Sequence, residues 1–271
     1  VGGGPGGMAT AVYAAERGHR VTLIEREAEL GGRFRFASTL FPGNQTYLDY
    51  LLGRIGELEI DVRLGEAASE ATVRELAPEA VVVATGGRLE CPAVAGDDGE
   101  RVVTGAAVIE LLERVRAAAG SGGDGGTAAV PVGERVAIVG GNLIGVELAE
   151  HLARLGRRVS VLEPGRRFAM PAGKKRRGDH SGRLDAAGVS VNTRVEVKAI
   201  IDEGAVIAAA GGPERVVAAD SVIVVGQPVA DEGAAEPFAS VAPDVYSVGD
   251  VGGFGLSQKA VREAIEVAYR I

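Results

Sequence analysis

The chain is short of the residues on which several common chemistries depend. Of its 271 residues one is cysteine, three are histidine and none is tryptophan. A lone Cys91 excludes an internal disulfide, a redox-active dithiol pair and any cluster held only by cysteines of this chain. Beside Pro92 it reads as an idle thiol in a crossover. His19, His151 and His180 stand far apart, without metal-ligand spacing and without a serine or carboxylate constellation. His19 and His151 are expected on helix surfaces. Aromatic residues make up 4% of the chain and the net charge is −8. The first leaves little for a stacking platform and the second opposes nucleic-acid phosphates, so no nucleic-acid partner is expected. No apolar run reaches the length of a membrane span and no signal peptide is visible, so the expectation is no membrane and a cytoplasmic site.

Glycine, by contrast, is abundant, at 41 residues, and its placement is informative. Val1 to Glu25 reads as the end of a strand, a glycine-rich turn, a helix over 6–17 and a strand over 21–24 closed by an acid. Gly2, Gly4 and Gly7 have the G-x-G-x-x-G spacing. The first glycine makes the tight turn, the second lets backbone approach a pyrophosphate, and the third lets the helix pack closely on the sheet. The helix N-terminus then offers unpaired N–H groups and partial positive charge to that phosphate. Glu25, at the strand end, suits the two hydroxyls of a ribose.

The same arrangement recurs. Gly140-Gly141-Asn142-Leu143-Ile144-Gly145 follows the apolar run Val136 to Val139, and a further strand ends at Glu163. Gly2 and Gly140, Gly7 and Gly145, Gly18 and Gly156, Glu25 and Glu163 are each 138 positions apart. Two dinucleotide folds in one chain imply two dinucleotides. Asn142 departs from the pattern, because glycine is usual where backbone meets pyrophosphate; asparagine tolerates positive φ, leaving a side chain to crowd or bond the phosphate.

Between these units the chain passes a glycine pair, Gly31-Gly32, a helix over 47–58, and a buried strand running into Thr85-Gly86-Gly87. Residues 88–98 suit a crossover, 108–119 a helix, and 120–126 a flexible glycine-rich loop. Lys174-Lys175-Arg176-Arg177 reads as a solvated surface loop, the alternative being contact with a nucleotide phosphate or a partner domain. Segments over 195–219 are β-rich. Val245 to Val248, ending at Gly249-Asp250, is a strand followed by a helix from about Ser257. Non-crossing connections make this an α/β chain of two Rossmann-like dinucleotide-binding domains, the second inserted into the first. The expected boundaries are 1–105 with 226–271, and 106–225. Because Val1 would be the last residue of the first strand, the chain is expected to be part of a longer protein.

The set GGGPGG, Glu25, Gly31-Gly32, Ala84-Thr85-Gly86, GGNLIG and Tyr246-Ser247-Val248-Gly249-Asp250 resembles the flavoproteins with two dinucleotide-binding domains. The wording of AAERGHRVTLIERE, LGGRF, PEAVVVATGGR and PDVYSVGDV is most similar to the C-terminal half of the 2,4-dienoyl-CoA reductase and trimethylamine dehydrogenase group. There a flavin-bearing old-yellow-enzyme barrel and an iron–sulfur cluster precede this region. The resemblance implies FAD at the first site, with Gly2, Gly4 and Gly7 on its pyrophosphate and Glu25 on its adenosine ribose. It puts Gly32 and Arg33 near the pyrophosphate or ribityl chain and Gly86 beside the nucleotide. Asp250, after Gly249, would take a ribityl hydroxyl; without the resemblance Asp250 reads equally as a helix N-cap. The second site would hold NADH, with NADPH also possible, through Gly140, Asn142, Gly145 and Glu163. A carboxylate at Glu163 repels a 2′-phosphate, while Arg166 and Arg167 pull the other way.

The function so implied is a FAD-dependent NAD(P)H oxidoreductase module. Hydride passes from nicotinamide to flavin, and electrons leave for an acceptor outside this chain: an N-terminal barrel with FMN and an iron–sulfur cluster. No acid or base in the chain stands out as catalytic. Two alternatives stay open: a structural nucleotide-binding module whose second site holds ADP without turnover, and a free-standing NADH:acceptor reductase.

Overall fold

The computed structural model describes residues 1–96, 99–120 and 130–271. The expected glycine-rich loop lies, beyond Gly120, outside the described residues. The chain forms two compact units: Val1–Ser38, Pro42–Arg88 and Pro228–Ile271 make the first, Thr39–Phe41 and Leu89–Gln227 the second. The architecture is α/β, with a second dinucleotide-binding fold set within the chain of the first.

In the first unit α1 (Pro5–Glu16), β1 (Val21–Glu25), α2 (Phe34–Leu40) and α3 (Gln45–Glu57) are followed by β2 (Ile60–Leu64), α4 (Glu70–Glu75) and β3 (Ala80–Val83). β1 pairs in parallel with β2. Val1 and Gly2 lie between the carboxyl ends of β1 and β3: Gly2 N–H donates to Ile24 O (2.8 Å) and Ala84 N–H to Val1 O (2.8 Å). α1 is buried on nearly every side, including Gly6, Gly7, Met8, Ala9, Ala11 and Val12, so its small residues serve close packing rather than amphipathicity. Met8, Val12, Leu23, Leu51, Ile55 and Val267 fill one face of the sheet. Ile24, Val73, Val81, Val83, Phe238 and Val251 fill the other. The strands are thus covered on both faces, as apolar parallel strands require.

The second unit carries β4 (Arg88–Glu90) at its entry, β5 (Val102–Val103), α5 (Ala106–Gly120), β6 (Arg135–Val139), α6 (Leu143–Arg154), β7 (Arg158–Glu163), α7 (Lys174–Ala186) and β8 (Ser190–Thr193). Then come β9 (Val195–Ile201), β10 (Gly204–Ala209), β11 (Glu214–Ala218) and β12 (Ser221–Val224). A five-stranded sheet runs β5-β12-β6-β7-β8, parallel throughout. Strands β9 to β11 form an antiparallel sheet, and Ala137, Val139, Leu162, Ile207, Val217 and Val224 make the core they share with the parallel one. The chain leaves through β13 (Gln227–Val229) and returns to the first unit, where β14 (Asp244–Ser247) pairs in parallel with β3. The last helix is α8 (Ser257–Ala268).

One expectation fails at the level of elements. Lys174 to Arg177 is not a surface loop but the first turn of α7. Four cations at a helix N-terminus oppose the dipole, and two of them are held by specific acceptors. Arg176 reaches Glu147 Oε1 (2.6 Å) and Arg177 reaches the Ala172 carbonyl (2.6 Å).

Candidate functional site

In the first unit the turn after Val1 has the conformation that its glycines permit. Gly2 sits at φ +98, and a Cβ on Gly7 would collide with the Gly2 carbonyl oxygen. Gly4 is extended (φ −73, ψ −177), and a Cβ there would meet nothing within 4 Å. Its backbone is therefore open to close approach. Pro5 brings no N–H to the first helical position, and the N–H groups of Gly4, Gly6 and Gly7 have no protein acceptor among the described residues. Such orphan donors at a helix start suit an anion.

Glu25 is buried and fixed by backbone. Its Oε2 accepts from Gly3 N–H (2.5 Å) and its Oε1 from Glu27 N–H (2.8 Å). The Gly31-Gly32 pair folds over the same turn: Gly31 N–H donates to Gly3 O (2.8 Å), and a Cβ on Gly32 would lie 3.2 Å from Gly4 Cα. Arg33 follows, exposed. Gly86 has φ +83 just after β3, and a Cβ on its neighbour Gly87 would lie 3.3 Å from that of Asp250. Asp250 is half-buried in the turn Gly249–Gly252, and its Oδ1 accepts from Gly255 N–H (3.0 Å). Burial pushes its carboxyl up, against the pull of that N–H, Lys259 and Arg33. The N-cap of α8 is Leu256, so Asp250 does not cap that helix.

The second unit repeats the first bond for bond. Gly140 N–H donates to Leu162 O (2.9 Å). Glu163 Oε2 accepts from Gly141 N–H (2.7 Å), and its Oε1 from Gly165 N–H (2.6 Å). Gly140 has φ +106, and a Cβ on Gly145 would collide with Gly140 O. A cavity of about 460 Å³ is lined by Gly141, Asn142, Glu163, Arg166, Arg167 and Gln227 among others.

Asn142 differs from the expectation. It sits at φ −67, ψ 179, like Gly4, so no positive φ is needed, and its side chain turns into the protein. Oδ1 accepts from Gly145 N–H (3.1 Å) and Nδ2 donates to Gly226 O (2.9 Å). It is a helix N-cap. Nearby, Leu143 N–H donates to Met170 O (3.1 Å) and Ala169 N–H to Gly141 O (2.6 Å). Two of the helix's first donors are thus taken by protein, unlike those of α1.

A group of charged residues that the spacing did not suggest joins α6 to α7. Glu147 and Glu150 are each 3% exposed and His180 fully buried. His180 Nδ1 lies 2.5 Å from Glu150 Oε1, and Arg183 Nε donates to Glu150 Oε2 (2.9 Å). Burial pushes the Glu150 carboxyl up, but the hydrogen bonds from His180 and Arg183 outweigh it and hold the group below its ordinary value. Burial raises Glu147 despite Arg176. His180 therefore does have a carboxylate partner. His151 is also buried, not on the surface, and burial together with Arg154 lowers it to about 4. The available signal was the matched i, i+3 spacing of Glu147/Glu150 and His180/Arg183 on two successive helices.

Two strand–turn–helix–strand units, each closed by a backbone-held carboxylate, define a module for two dinucleotides. The family model described as Pyridine nucleotide-disulphide oxidoreductase matches residues 1–264, and the chain belongs to that family. The NADH oxidase of Thermoanaerobacter brockii is 30% identical over all of this chain and 40% of its own length. The cinnamate reductase of Clostridium sporogenes is 28% identical, again over the whole chain and 38% of its length. A solved structure of 2-naphthoyl-CoA reductase superposes with a TM-score of 0.86 at 29% identity, over 100% of this chain and 39% of that one. The chain thus spans about two fifths of the length of these three relatives. It is a FAD-dependent NAD(P)H oxidoreductase module, and its motifs resemble those of the dinucleotide-binding half of the 2,4-dienoyl-CoA reductase group. The dithiol of disulphide reduction is not encoded, since Cys91 stands alone. Among the described residues no helix is long and apolar enough to cross a membrane, and no cluster of metal-ligating side chains occurs.

Proposed function

We propose that the first unit, through Arg88 and again from Pro228, holds FAD and that the second, Leu89–Gln227, holds NADH, and that the pair feeds electrons to an acceptor elsewhere in a longer protein. One observation carries this reading: Gly3 and Glu27 on Glu25, and Gly141 and Gly165 on Glu163, are the same two hydrogen bonds at the same offset. FAD, when bound, supplies a ring that accepts hydride from the nicotinamide and releases electrons onward. The residues of the first unit fit that group. Gly2, Gly4 and Gly7 leave backbone donors open to its pyrophosphate, and Gly32 and Arg33 close over them. Glu25 takes the ribose; Gly86, Gly249 and Asp250 line the sugar-alcohol chain, for which the second Asp250 oxygen has no protein donor among the described residues. In the second unit Gly140, Gly145 and Glu163 do the equivalent work, with Asn142 as a cap rather than a contact. The chain contributes position and field, not a proton. The length of the relatives supports a further domain to carry the acceptor; the sequence resemblance makes it a barrel bearing FMN and an iron–sulfur cluster.

A second reading rests on Asn142, whose side chain occupies the Gly145 N–H, the counterpart of the Gly7 donor left open in the first unit. On it the second unit holds ADP structurally. Binding alone does not separate the two, because ADP and NADH share that pyrophosphate; flavin reduction does. Anaerobic NADH is expected to bleach the FAD of the intact protein. A flavin that stays oxidised under both NADH and NADPH, with FAD fully bound, overturns the reductase reading.

A further inference from the structure

Two residues of α8 that no motif draws attention to hold the turn carrying Asp250. Gly249 N–H donates to Glu263 Oε2 (2.8 Å), and Lys259 Nζ donates to Gly249 O (2.7 Å). The two side chains, one helical turn apart, also pair with each other, Lys259 Nζ to Glu263 Oε1 at 2.9 Å. Both polar groups of Gly249 are therefore gripped by one ion pair. Gly249 itself is left-handed (φ +77), a conformation that needs an external hold to be the single one populated.

The aliphatic stem of Lys259 makes a third contact. It occupies the space a Cβ on Gly255 would need, and Gly255 is the residue whose N–H donates to Asp250 Oδ1. One lysine thus fixes the peptide before Asp250 and packs on the residue that orients its carboxylate. Lys259 and Glu263 are three-quarters buried, so the pair is less screened than a surface one. Of the charged groups that act on the Asp250 carboxylate, Lys259 and Arg33 are the cations and Glu263 is the acid.

We propose that Lys259 and Glu263 are positioning residues for the flavin: they lock the Gly249–Asp250 turn so that the remaining Asp250 oxygen is presented in one place. The proposal rests on the reading that Asp250 receives FAD. Its signature is coupling. If Lys259 acts through Asp250, removing both should cost no more than removing Asp250 alone.

The experiment strips FAD from the full-length protein and titrates it back. Affinity and melting temperature are measured for Lys259→Met, Lys259→Arg, Glu263→Gln, Asp250→Asn and the double variant Asp250→Asn/Lys259→Met. Lys259→Met and Glu263→Gln are each expected to weaken FAD about tenfold, the scale of one charged hydrogen bond. Lys259→Arg should recover most of the loss, and the double variant should match Asp250→Asn. If Asp250→Asn weakens FAD but Lys259→Met and Glu263→Gln do not, or if the double variant is worse by the full product, the positioning role is wrong. If Asp250→Asn has no effect, the assignment of Asp250 to FAD fails instead. Should Lys259→Met not fold, Glu263→Gln, which keeps shape and an acceptor oxygen, carries the comparison with its own Asp250→Asn double.

Discussion

Glu25 and Glu163 each hold two backbone N–H groups, so alanine at either place would leave those donors unpaired as well as removing a ligand contact. Glutamine keeps the shape and one acceptor oxygen, although its NH2 then faces the second backbone N–H donor. Glu163→Gln is expected to weaken NADH about tenfold with FAD retention unchanged, and Glu25→Gln the reverse, each being one charged hydrogen bond of about 1.5–3 kcal/mol. NADH titration and flavin content after dialysis read the two; equal effects on both ligands would contradict separate sites. Asn142→Gly removes an N-cap, which glycine replaces at a cost of only a few tenths of a kcal/mol, and frees the Gly145 N–H. NADH should bind as well or better, and a loss beyond tenfold would mean that the Asn142 side chain touches the nucleotide. The oddity of residue 142 was legible in the sequence. The cap itself is local, Gly145 N–H on Asn142 Oδ1; what was not legible is the second bond that turns the side chain inward, Nδ2 to Gly226 O, 84 positions away.

At the scale of elements, the strands and helices of the two repeats follow from patterning, since an apolar run and a glycine turn are local signals. The α6–α7 contact is not local. Nothing in Lys174 to Arg177 announces that Arg176 meets Glu147, so charge was taken for solvent exposure. His151, on the same helix, gives a pH test. Its folded value, about 4 against an ordinary 6.5, means that the unfolded chain takes up the proton first. Its contribution is complete above about pH 6.5 and is lost as pH falls towards 4. Glu147 and Asp250, held high by burial, work in the opposite sense, so the comparison is between variants. The melting temperature of His151→Asn should fall less between these pH values than that of the unaltered protein; parallel curves would remove His151 from the account.

For the molecule as a whole, the doubled turn was the most readable feature, because Gly2, Gly7, Gly140 and Gly145 are dictated by backbone crowding that no other residue relieves. What the doubling conceals is an asymmetry. The helix after Gly140 has Asn142 and Met170 to satisfy the Gly145 and Leu143 N–H groups, which leaves it fewer open donors. The helix after Gly2 has no such partners among the described residues. A site with fewer open donors when empty loses less on release and suits a visitor that comes and goes with each turnover. A site with more open donors when empty suits a permanent resident. Removing FAD should therefore lower the melting temperature by more than saturating NADH raises it, a difference that ligand linkage makes measurable. On this view the single asparagine in place of a glycine separates substrate from prosthetic group.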